Sequence, residues 1–153
     1  VLDYLNMVND QNHQISVKLS AKMDKTAQAV ERLQEENFRL KGQVGQLVDD
    51  MCRKEAERYA GSGSVLIFMD GMDADSVRKL ADAVTQTCQG CCAVFSGNAD
   101  GSYKYAMGEK DGDLRQFTKE MNAKLNGRGG GKPFFVQGSV QASEKEIRNF
   151  FEQ

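Results

Sequence analysis

Between Asn126 and Ser139 the chain reads Asn-Gly-Arg-Gly-Gly-Gly-Lys-Pro-Phe-Phe-Val-Gln-Gly-Ser. No other segment concentrates so much potential chemistry. Glycine reaches positive φ at no steric cost, so successive N–H groups of Gly129, Gly130 and Gly131 can converge into a concave anion nest. Arg128 and Lys132 add charge beside such a nest, and Pro133 stiffens its exit. A second reading stays open. A glycine run after a helix also serves as a C-cap and a tight connection into a strand. It is not a Walker A loop, because Pro133 rather than Ser or Thr follows the lysine and Asn126 stands where the first glycine belongs.

Three further groups could do chemistry. Asp70, Asp73 and Asp75 gather carboxylates at the end of an apolar strand, where α/β sheets bind ligands, so a metal-dependent phosphoesterase is the rival reading. Asp73 and Asp75 suit a helix start equally well. Cys88, Cys91 and Cys92 include a C-x-x-C spacing, but no second pair and no nearby histidine complete a zinc site. Cys91 to Phe95 reads as a buried strand in which thiols act as small hydrophobes. His13, the single histidine, stands on the polar side of a helix without a carboxylate or thiol partner.

The elements that must position these residues fall into two halves. Residues 1–60 lack proline and repeat apolar positions in steps of three and four. Leu5, Val8, Asn12, Ile15 and Leu19 form one seam. Met23, Thr26, Val30, Leu33, Asn37, Leu40, Val44, Leu47 and Met51 form another, with Asn37 at an a position, where a buried amide selects register and partner number. The step of four from Leu19 to Met23 is a stutter, so the helix is expected to break near residues 20–25, with Asp24 as N-cap of the second helix. That second helix, about 36 residues, spans ~54 Å, and Gly42 and Gly45 each weaken it by ~1 kcal/mol relative to Ala. A seam of this length is expected to pair, making residues 1–60 a coiled-coil dimerisation segment.

Beyond the linker Ala60–Ser64 the period changes. Val65 to Met69 reads as a strand, Asp73 caps a helix with Val77, Leu80, Ala81 and Val84 on one face, and Cys91 to Phe95 is a second strand. Asn98 to Gly101 turns into a third strand at Tyr103 to Met107. Asp113 begins a helix bearing Leu114, Phe117, Met121 and Leu125. Phe134 to Val140 is the fourth strand, and Ser143 with Glu146 is a capping box for a terminal helix through Phe150 and Phe151. Residues 61–153 are therefore expected to form an α/β (α+β) domain with a four-stranded mixed sheet and flanking helices.

The glycine segment resembles a motif of the C-terminal domain of alanyl-tRNA synthetases and of long-form alanyl-tRNA editing proteins, a domain related to the substrate-binding domain of DHH-type phosphoesterases. The family pattern is roughly Gly-Gly-Lys/Arg-Gly-Gly-Gly-Arg/Lys-Pro-Asp-x-Ala-Gln-Gly-Gly. Gly127, Arg128, Gly129, Gly130, Gly131, Lys132, Pro133, Gln137 and Gly138 match it; Phe134, Val136 and Ser139 depart from it. The order of elements from residue 61 onward also fits.

The resemblance implies tRNA contact through Arg128, Gly129, Gly130, Gly131, Lys132, Gln137 and Gly138, and an alanine-specific tRNA as partner, while the seam itself predicts homodimerisation through Leu33, Asn37, Leu40, Val44 and Leu47. The resemblance implies no catalytic residue and no cofactor in this chain. The catalysis would belong to a missing N-terminal editing domain that holds zinc and removes a wrongly attached serine or glycine. The helical start resembles the free-standing editing proteins more than the synthetases, with a cytoplasmic location in either case.

Charge sharpens these expectations. Twenty Lys and Arg residues against twenty-two Asp and Glu give a net charge of −2. General nonspecific nucleic-acid binding is excluded by that balance, and any RNA contact must be a local patch. No apolar run is long enough to span a bilayer, and no signal-peptide pattern is present.

Overall fold

Apolar steps of three and four produce helix through residue 58: α1 at Leu2–Lys18, one 3-10 turn at Met23–Lys25, and α2 at Thr26–Arg58. The computed structural model describes residues 1–153, in two units, Val1–Leu47 and Val48–Gln153. The expected break is present. Ser20 turns the chain at φ 49°, and the Ser16 hydroxyl donates to the Ala21 carbonyl. Asp24 does not cap α2, because it sits inside the 3-10 turn; there Thr26 Oγ1 donates to the Met23 carbonyl at 3.1 Å. Nothing in α1 is buried. Along α2 the seam stays bare, from 40 % exposed at Val30 to 69 % at Leu47.

The C-terminal unit starts inside α2, whose last turns carry Met51 and Cys52 into a core that Tyr59, just past the helix, also joins. The strands are β1 at Val65–Phe68, β2 at Cys92–Gly97, β3 at Tyr103–Gly108, β4 at Arg128–Lys132 and β5 at Phe135–Val140. The helices are α3 at Ala74–Thr85, α4 at Arg115–Lys124 and α5 at Glu144–Phe151. They form one mixed sheet in the order β1-β2-β3-β5-β4, with only β1 and β2 parallel. The parallel pair needs a crossover, and α3 supplies it.

Strand alternation builds two cores. Val65, Ile67, Cys92 and Val94 face α3, where Val77, Leu80, Ala81 and Val84 repeat at helical spacing. Ala93, Phe95, Tyr105 and Met107 face the other way, toward Leu114 and Met121 at α4 and Ile147 on α5. Phe95 anchors an aromatic cluster there, 5.6 Å from the Phe68 ring centroid and 5.8 Å from that of Phe151. The expected caps are in place: Asp73 accepts from Ser76 N at 2.7 Å, and Ser143 with Glu146 closes a capping box. Asp113 does not cap α4 directly, since Leu114 takes that position; its carboxylate accepts from Arg115 N at 3.1 Å instead.

Two expectations about the glycine run are corrected. The sheet has five strands rather than four, because the glycine run is itself β4. No nest forms: within Arg128–Lys132 only Gly129 has positive φ, at 154°. The remaining backbone is extended and pairs residue for residue with β5, from Arg128 opposite Ser139 to Lys132 opposite Phe135. A nest needs alternating helical signs of φ, which ladder pairing forbids.

Candidate functional site

At two of its three glycines β4 lies against a layer that leaves no room for a side chain. Tyr105 on β3 reaches under β5 and β4, and its hydroxyl donates to Asn122 Oδ1 of α4 at 3.1 Å. Asn122 Nδ2 then lies 3.4 Å from the Gly129 carbonyl. A Cβ on Gly129 would come within 2.5 Å of the Tyr105 hydroxyl oxygen and 2.7 Å of Gly138 Cα. One on Gly138 would lie 2.8 Å from the same hydroxyl and 2.7 Å from Gly129 Cα. At Gly131 it would meet Val136 Cα at 3.0 Å. These three glycines are demanded from inside the protein. Gly130 is different: a Cβ there meets nothing within 4 Å, and its φ is not positive. The fold gives no reason for glycine at position 130.

Cross-strand pairing sets the side-chain faces. Arg128, Gly130 and Lys132 lie opposite Ser139, Gln137 and Phe135, so all six share one face. Arg128, Lys132 and Gln137 are exposed, and neither cation makes an ion pair within the chain. Beside α3 this face opens into a groove of about 340 Å³ where Arg78 and Asp82 meet Gly130, Lys132 and Gln137. Lys104 reaches the adjoining groove beside Gln137 and Gly138, its ammonium donating to the Met72 carbonyl at 2.7 Å. On the opposite face Lys119 and the ion pair of Arg115 with Asp113, 2.6 Å apart, border a cleft of about 460 Å³ along Gly129 to Gly131. The strand is thus a nearly bare ribbon with cations on both sides.

The structure therefore brings together all seven residues that the sequence assigns to RNA contact. Gly129 and Gly138 have structural duties there, while Arg128, Gly130, Lys132 and Gln137 are free to face a ligand. Sequence reading omits Arg78 and Lys104, because their approach depends on β5 lying between β3 and β4. No local pattern encodes that order.

The rival chemistry fares differently. Asp73 is occupied as a cap, its carboxyl held below the usual range by hydrogen bonds from Ser76. Asp75 pairs with Arg78 at 2.9 Å. No three His, Cys, Asp or Glu residues gather where they could hold a metal ion. The cysteines are free thiols. Burial pushes Cys91 up to about 12, with the nearby Glu109 carboxylate acting in the same direction, and burial raises Cys92 as well. Thiolates are the reactive species, so at pH 8 both should be alkylated by iodoacetamide far more slowly than in the urea-unfolded chain. Peptide mass mapping of the two reactions checks this, and equal rates would contradict the buried thiol environment.

The chain matches the DHHA1 domain family over residues 62–153. It is 23% identical over 156 residues to an alanine–tRNA ligase of Psychrobacter sp., covering 94% of this chain and 17% of the ligase. It is 30% identical over 79 residues to the alanine–tRNA ligase of Acholeplasma laidlawii, covering 52% of this chain and 9% of that ligase. The chain thus spans less than a fifth of these relatives. Among solved structures, the C-Ala domain of Aquifex aeolicus alanyl-tRNA synthetase is similar in fold, with a TM-score of 0.51, 18% identity, and coverage of 61% of this chain and 92% of that one.

Proposed function

This chain belongs to the DHHA1 domain family, matched over residues 62–153, and from that premise we propose that it is the tRNA-engaging C-terminal part of an alanyl-tRNA synthetase-type protein. The observation that carries the proposal is Gly130. Steric need inside the fold explains Gly129, Gly131 and Gly138, whereas Gly130 faces open space between two unpaired cations. A bare backbone flanked by Arg128 and Lys132 suits a sugar-phosphate chain approaching closely, with cations taking phosphates and Gln137 offering an amide. Lys104 adds positive charge toward α3, where Arg78 is shared with Asp75. The net charge of −2 makes this a local contact of modest affinity. The test is titration of tRNA against the chain and its Arg128→Ala/Lys132→Ala variant.

The Psychrobacter alignment extends over the helical segment as well, which supports a ligase parent over a free-standing editing protein. In either parent the chemistry belongs to another domain. Aminoacylation, or zinc-dependent hydrolysis of mischarged alanine-tRNA, would take place there, and this chain would hold the tRNA for it. Such a role belongs in the cytoplasm, and no helix here is long and apolar enough to cross a membrane.

The helical segment supplies dimerisation in this reading. Leu33, Leu40, Val44 and Leu47 are exposed on α2 in heptad spacing, with Asn37 at a position that sets register. Leu33→Lys with Leu40→Lys should convert a dimer into a monomer at ~5 μM while the α/β unit stays folded. Sedimentation of the unaltered chain as a monomer at that concentration would rule out the seam.

A further inference from the structure

The two edges of the sheet are treated differently. β4 ends in Arg128 and Lys132, charges of the kind that discourage edge pairing. β1, at the other edge, reads Val-Leu-Ile-Phe, with no charge, proline or bulge. Val65 N donates to Cys91 O and Met69 N to Phe95 O, so the odd-numbered residues face β2. The N–H and C=O groups of Leu66 and Phe68 therefore point outward, and no backbone group of the chain pairs with them.

We propose that β1 is a self-pairing edge, joining two copies of this chain antiparallel about a two-fold axis at Ile67. Leu66 of one copy then lies opposite Phe68 of the other, and the four outward groups of each strand form four hydrogen bonds in all. Directly opposed residues share a face, so the Leu66 end of one copy meets the Phe68 end of its partner on the same side of a continuous sheet. Those two ends are complementary. Beside Leu66 lies a groove of about 510 Å³ with Leu114, Phe117 and Phe151 on its walls and Glu109 and Glu152 on its rim. Neither of these carboxylates is ion-paired within the chain. At the other end, the Arg148 guanidinium, half-exposed and paired with Glu144 at 2.6 Å, sits 4.4 Å above the Phe68 ring. Two-fold pairing carries that cation and aromatic ring to the acidic, apolar groove twice over. The short strand contributes few hydrogen bonds, and the groove contacts supply most of the interface. This second-copy contact is independent of the tRNA reading and lies at the opposite edge from β4.

Amide exchange followed by NMR tests it in the Leu33→Lys/Leu40→Lys chain, where the helical seam cannot contribute. Between ~5 and ~500 μM, the Leu66 and Phe68 amides should slow by about tenfold or more while the amides of β4 do not change. Glu109→Arg with Glu152→Arg, the first half-buried and the second exposed, should abolish that protection and leave the rest of the spectrum folded. Equal exchange of Leu66 and Phe68 at both concentrations would overturn the proposal, as would protection that survives the double charge reversal.

Discussion

Gly138→Ala should destabilise the α/β unit by about 1–3 kcal/mol, whereas Gly130→Ala should hold or raise its stability by ~0.4–1 kcal/mol. Both changes add one methyl group to the same hairpin, so propensity alone predicts similar effects. The structure separates them. At Gly138 the added Cβ lies 2.7 Å from Gly129 Cα and 2.8 Å from the Tyr105 hydroxyl. Both neighbours are fixed, the first by the β4–β5 ladder and the second by Asn122. Relief requires β4 to lift away or Tyr105, only 2 % exposed, to leave its site. At Gly130 the methyl enters open space at an ordinary φ and removes freedom from the unfolded chain. Urea unfolding followed by circular dichroism measures both. A Gly138→Ala midpoint equal to that of Gly130→Ala would show that Gly138 is not confined between β4 and Tyr105.

The same contrast explains what was legible in the sequence. The α3 face was readable because Val77, Leu80, Ala81 and Val84 carry helical spacing and Asp73 is a strong cap. Ser143 and Glu146 declared α5 by a local hydrogen-bond pattern, and Asn98 to Gly101 declared the β2–β3 turn. The run Arg-Gly-Gly-Gly-Lys has neither alternation nor strand propensity, so it reads as a loop. Its extended form comes from tertiary pairing with β5 and from Tyr105, which is distant in the chain. Asp24 was misleading for a related reason: the helix breaks at Ser20, whose φ is 49°, and Thr26 rather than Asp24 bonds the turn. Of the candidate site, Arg128, Lys132 and Gln137 could be found from the motif. Arg78 and Lys104 reach it only through strand order.

Replacing Arg128 and Lys132 together with alanine should have the largest effect on function. Both side chains are exposed and unpaired, so truncation removes charge without leaving a buried partner unsatisfied. The fold should be unaffected, and tRNA affinity should fall by roughly tenfold or more at low salt. Gly130→Val offers a second approach to the same surface. It fills the open space above the ribbon, so it should weaken tRNA binding while retaining both cations and the sheet. Loss in the cation variant without loss in Gly130→Val would place the RNA backbone over the cations but away from the strand.

The most direct measurement is the salt dependence of tRNA affinity, compared between the unaltered chain and Arg128→Ala/Lys132→Ala. If β4 engages phosphates through these two cations, the slope of log Kd against log salt should decrease by about 1.4–1.8, the share of two phosphate contacts. Identical slopes and affinities, with the circular dichroism of the two proteins superimposable, would contradict tRNA engagement by the β4 ribbon.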